Sequence, residues 1–75
     1  MEGGVLMPLA LAKTGEIQTI RKISGRDDTK RFLESLGFVI GGQVTVGSEI
    51  NGNMIVNVKE SRVAISKSMA ARIMV

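Results

Sequence analysis

Two-residue alternation governs the second half of the chain. Within 43–49 (QVTVGSE) Val44 and Val46 share one face; within 53–60 (NMIVNVKE) Met54, Val56 and Val58 do. Within 62–66 (RVAIS) Val63 and Ile65 alternate in the same way. A period of two places every second side chain on one face of a strand, so three short half-buried strands are predicted. Asn51-Gly52 separates the first two, a dipeptide suited to the positive φ angles of a tight hairpin. Lys59-Glu60-Ser61 forms the next turn. The first half is less regular. EIQTIRKI (16–23) is rich in β-branched residues and reads as a strand, but Ile17 and Ile23 share one parity and Ile20 takes the other. A bulge near Ile20 would turn all three inward.

A different period follows. Thr29, Phe32, Leu33 and Leu36 recur at helical spacing, which predicts one amphipathic helix at about 28–36. Asp27 or Asp28 offers an N-cap, Lys30, Arg31 and Glu34 take the wet side, and Gly37 ends the helix in a left-handed conformation. Ser66 is positioned to cap a short helical turn near 67–71, and Ile73 and Val75 alternate as a closing strand. Near the start, Leu9 and Leu11 alternate before a turn at Gly15. Short antiparallel strands with tight turns hide their edges by curling shut. The fold class expected is mainly β, a small SH3-like barrel with one helix. Phe32, Leu33 and Leu36 are expected to pack against Ile17, Val44, Val56 and Ile65. Residues 1–7 are expected as a flexible extension and 8–75 as the barrel domain.

Composition then removes chemistry. The 75 residues contain neither cysteine nor histidine, so thiolate sites, imidazole ligands and the commonest general base are all missing. Asp27-Asp28 is the one close carboxylate pair, and helix capping accounts for it. The five methionines fall mostly on apolar faces as core filler. No metal site and no cofactor are expected, and the serines have no histidine to activate them. A non-enzyme is the reading. With apolar residues at 44 per cent, a core is available; the net charge of +3 is mild and the basic residues form no block. Tyrosine and tryptophan are absent, which counts against a surface that stacks bases. The uncharged stretch GGVLMPLALA is too short to span a bilayer, so no membrane insertion is expected and a cytoplasmic location is the default.

Glycines crowd one corner, LESLGFVIGG (33–42). They follow a helix and precede a strand, the wrong order for aiming a helix N-terminus at phosphate. Gly37 belongs to the helix end; Phe38, Val39 and Ile40 then form an apolar run between glycines. Either Phe38 plugs the barrel, or part of the run stays exposed as a contact surface. In the second case Phe38, Val39 and Ile40 are the candidate partner-binding residues, with Arg26, Lys30 and Arg31 as a charged rim for an acidic partner.

The assembled order resembles the FeoA family of bacterial ferrous iron transport. The stretches that carry the resemblance are LALAKTGE, IRKISG, RFLESLGFVIGGQVTV and RVAISKSMAARIMV, and within them Leu9, Gly15, Leu36-Gly37, Gly41, Ala70, Ile73 and Val75. The match covers about 8–75; the short INGN turn departs from the longer loop of many relatives. The resemblance implies an SH3-like barrel that supports FeoB, a membrane transporter whose cytoplasmic part includes a G-protein domain. It also implies kinship with the C-terminal domain of iron-dependent repressors, and an association with transition metals that enters as a pathway label. The expected function is therefore a non-catalytic interaction module that docks on the cytoplasmic side of the transporter. The alternative is a small barrel that binds nucleic acid or serves a metalloregulator as an accessory domain; missing aromatics and missing DNA-binding helices favour the first.

Overall fold

The computed structural model describes residues 6–75; of the expected extension, Met1 to Val5 lie outside the described residues. Six strands and two helices follow a 3-10 turn at Leu9–Leu11: β1 (Ile17–Thr19), β2 (Lys22–Ile23), α1 (Asp27–Ser35), β3 (Gln43–Ile50), β4 (Asn53–Val58), β5 (Ser61–Ser66), α2 (Lys67–Ala70) and β6 (Ile73–Met74). The larger sheet has the order β1-β3-β4-β5, and β2 pairs with β6 in a second, two-stranded sheet. All these pairings are antiparallel.

The alternating segments form the sheet as the pattern requires. Val44, Val46, Met54, Val56, Val58 and Ile65 are buried on its inner face. Asn51 (φ 50°) and Gly52 (φ 80°) make the predicted two-residue hairpin loop. The second loop is tighter than expected, Lys59-Glu60, with Ser61 already opposite Val58 in the ladder. Gly47 sits where the β3–β4 register shifts, between Val46 and Ser48.

Three expectations are corrected. No bulge reconciles the isoleucines of 16–23. The strand instead stops at Ile20 and leaves one sheet for the other, which turns Ile20 and Ile23 inward and leaves Ile17 67% exposed beside Thr45 on the outer face. Phe32 is 48% exposed, whereas Leu33 is fully buried and Leu36 partly so. Successive helical residues are about 100° apart, so a helix that points Leu33 squarely at the core leaves Phe32 on the margin of its apolar face. Neither Asp27 nor Asp28 is the N-cap. That position is Arg26, without a side-chain cap, and both carboxylates lie in the first turn, where they complement the helix dipole. Leu9 and Leu11 fall on the 3-10 turn, Leu9 buried and Leu11 exposed.

Ser66 caps α2 as expected, its Oγ accepting from the Met69 N–H at 3.2 Å. The closing strand brings Ile73 and Val75 into the core beside Ala70 and Leu9. The Met7 and Val75 backbones exchange hydrogen bonds of 3.0 and 2.8 Å, so a segment from each end of the chain joins at β6.

Candidate docking site

The glycine corner is built by two successive backbone devices. At the end of α1, the Phe38 N–H donates to the Leu33 carbonyl (3.0 Å) and the Gly37 N–H to the Glu34 carbonyl (2.9 Å). This paired pattern, with Gly37 at φ 107°, is a Schellman motif. It draws Phe38 under the helix beside Leu33, and both side chains are completely buried. Phe38 is therefore the plug of the barrel. It offers no surface to a partner and supports the corner from below.

The chain then turns over Val39–Gly42. The Gly42 N–H donates to the Val39 carbonyl (2.9 Å), and Gly41 in the third position has φ 89°, as a type II turn demands. The backbone of Ile20 clamps the turn, donating to the Gly42 carbonyl and accepting from the Gly41 N–H, each at 2.8 Å. A Cβ on Gly42 would lie 3.1 Å from the Val39 carbonyl oxygen, so close approach explains that glycine. Ile40 occupies the tip and is 69% exposed; Val39 is partly exposed. An apolar side chain is thus held in water on a turn that three backbone hydrogen bonds close and tie to Ile20.

Beside this turn lies an open groove of about 490 Å³, lined by Ile17, Gly41, Gln43, Thr45, Asn57 and Lys59. Ile17, Thr45 and Asn57 form one cross-strand row, since Ile17 pairs with Thr45 and Thr45 with Asn57. The groove places exposed Ile17 next to the residue that follows Ile40. Lys59 is its one charged residue. Its backbone is left-handed at φ 57°, in a loop position that glycine favours.

Of the residues marked out in the sequence, Val39 and Ile40 share this surface. Arg26, Lys30 and Arg31 are exposed on α1, but helical rise puts Arg26 about 16 Å from Gly37 and Lys30 about 10 Å from it. They form a flank along the helix and not a ring around the corner. Sequence reasoning did not single out Ile17, Gln43, Thr45, Asn57 or Lys59. Alternation in β3 and β4 already turned Gln43, Thr45 and Asn57 outward; nothing in the local pattern marked Ile17. Among the described residues no three carboxylates come together to hold a metal ion, and no helix is long and apolar enough to cross a membrane.

The strand order, the buried and mostly aliphatic core and the plugged corner define a small SH3-like β-barrel. Residues 7–75 match the model of the FeoA domain, and the chain belongs to that family. It is 37% identical over 70 residues to "Putative Fe(2+) transport protein A" of Methanocaldococcus jannaschii, across 93% of this chain and 85% of the relative. Its fold is similar to the crystal structure of an iron uptake regulatory protein (FeoA), with a TM-score of 0.85 and 27% identity over 93% of this chain and 95% of the other. It is similar also to a zinc complex of FeoA from Stenotrophomonas maltophilia, with a TM-score of 0.68 and 25% identity over 89% and 86% of the two chains. That protein is described as an SH3 domain protein and a candidate ferrous iron transport activating factor. Membership links this chain to ferrous iron transport.

Proposed function

We propose that this domain is a non-catalytic module in the cytoplasm that supports ferrous iron uptake by docking on a FeoB-like membrane transporter. The Val39–Gly42 turn and Ile17 form the contact. The observation that carries this reading is Ile40, an aliphatic side chain 69% exposed at the tip of a turn tied by hydrogen bonds to Ile20. Burying one such side chain in an interface is favourable by about 1.5–3 kcal/mol. Apolar anchors of this kind, ringed by polar groups, are what a modest protein contact needs. Arg26, Lys30 and Arg31 on the α1 flank then face acidic partner surface and speed association.

Iron is the transported substrate in this scheme and needs no ligand from the barrel. Ile40→Ser is the test, since it removes the anchor without touching the core. The expected result is an unchanged thermal midpoint with reduced transporter-dependent iron uptake in cells. Uptake equal to wild type would remove this turn as the contact.

A further inference from the structure

We propose that the groove beside the turn receives an extended segment of the protein partner and that Lys59 pairs with a carboxylate on that segment. This deepens the docking reading and rests on it. Three features specify the occupant. The groove runs across the outer face of β1, β3 and β4 and is open along its length, which suits a polypeptide segment better than an enclosed small molecule. Its polar lining is neutral apart from Lys59, and Lys59 makes no ion pair to another described residue. One ammonium with Gln43, Thr45 and Asn57 around it matches one carboxylate. A doubly charged phosphate calls for the arginine fork that the groove lacks. An exposed lysine–carboxylate contact is weak by itself, so the acid must arrive on a chain already anchored at Ile17, which lines the groove, and at Ile40, whose neighbour Gly41 lines it.

The backbone of Lys59 is the independent observation. Its left-handed conformation is strained for any residue with a Cβ, and glycine would relax it. A charged side chain is kept at a strained position that faces the groove, and strain of this kind gathers at binding sites.

Lys59→Gly separates function from fold, because it relaxes the backbone while removing the charge. Binding of the full chain to the intact FeoB transporter of its own organism, reconstituted in nanodiscs, is measured against salt for wild type, Lys59→Gly and Ile40→Ser. Lys59→Gly is expected to keep or raise the thermal midpoint, to weaken binding about threefold to fivefold at low salt, and to flatten the salt dependence. Ile40→Ser is expected to weaken binding more. If Lys59→Gly binds as wild type with the same salt dependence while Ile40→Ser is impaired, the groove inference is overturned and the docking reading stands. If both variants bind as wild type, the docking reading falls and the groove inference with it. Saturation of the groove by free succinate at low millimolar concentration, followed by amide shifts of Thr45 and Asn57, would make it a small-acid site and overturn the proposal.

Discussion

Phe32 and Phe38 stand on either side of the same helix end, yet one is half in water and the other fully enclosed. Residue type does not separate them; backbone geometry does. The Schellman turn carries Phe38 under α1, whereas Phe32 sits about 100° around the helix from Leu33. Truncation should show the difference. Phe38→Ala is expected to lose about 3–5 kcal/mol, much of the stability of a domain this small. Phe32→Ala is expected to lose about 1 kcal/mol or less, in line with its exposure. Urea denaturation of the two variants checks this, and equal losses would mean that Phe32 carries the core. The helical period in the sequence located the apolar arc of α1 but not its centre. The centre is chosen by the sheet beneath, and no local pattern records it.

At the scale of elements, features set by neighbouring residues were legible and features set by distant ones were not. Gly37 as helix stop, Asn51-Gly52 as hairpin and Ser66 as cap are each fixed by the φ angle or hydrogen bond of a few adjacent residues. The stretch 16–23 was misjudged because its conformation depends on two separate partners. Thr19 pairs with Gln43 and Lys22 with Met74, and the change of sheet between them cannot be read from Ile20 or Arg21. The candidate site divides in the same way. The exposed turn was visible as an apolar run between glycines. The groove exists only because β1, β3 and β4 lie side by side, and Lys59 joins it from a loop that closes a later hairpin.

For the whole molecule, charge is unevenly shared. Arg21, Lys22, Arg26, Lys30, Arg31 and Arg72 outnumber Asp27, Asp28 and Glu34 around α1 and the β2–β6 ladder, where the Ser24 N–H donates to the Arg72 carbonyl at 2.7 Å. Among the other described residues the two signs are nearly matched, Lys13, Lys59, Arg62 and Lys67 against Glu16, Glu49 and Glu60. The buried core is almost wholly aliphatic, and the sequence offers neither histidine nor cysteine as a ligand through which metal could drive folding. Thermal unfolding is therefore expected at the same midpoint with excess EDTA, and calorimetry with Fe(II) or Zn(II) should find no site tighter than about a micromolar. A metal-dependent midpoint would contradict this.

The two-rung ladder of Lys22–Ile23 with Ile73–Met74 closes the barrel by joining strands from the first and last thirds of the sequence. That has a kinetic consequence. The β3–β4–β5 meander is made of adjacent strands with two-residue loops, so its closure entropy is small. The ladder must instead bring together the paired strands most distant in sequence, for only two residue pairs, and its contacts are expected to form late on the route to the native state. Ile73→Val should then accelerate unfolding and leave the refolding rate nearly unchanged, while Val56→Ala should slow refolding. Stopped-flow refolding of the two variants measures this, and a slowed refolding limb for Ile73→Val would place barrel closure at the start of folding.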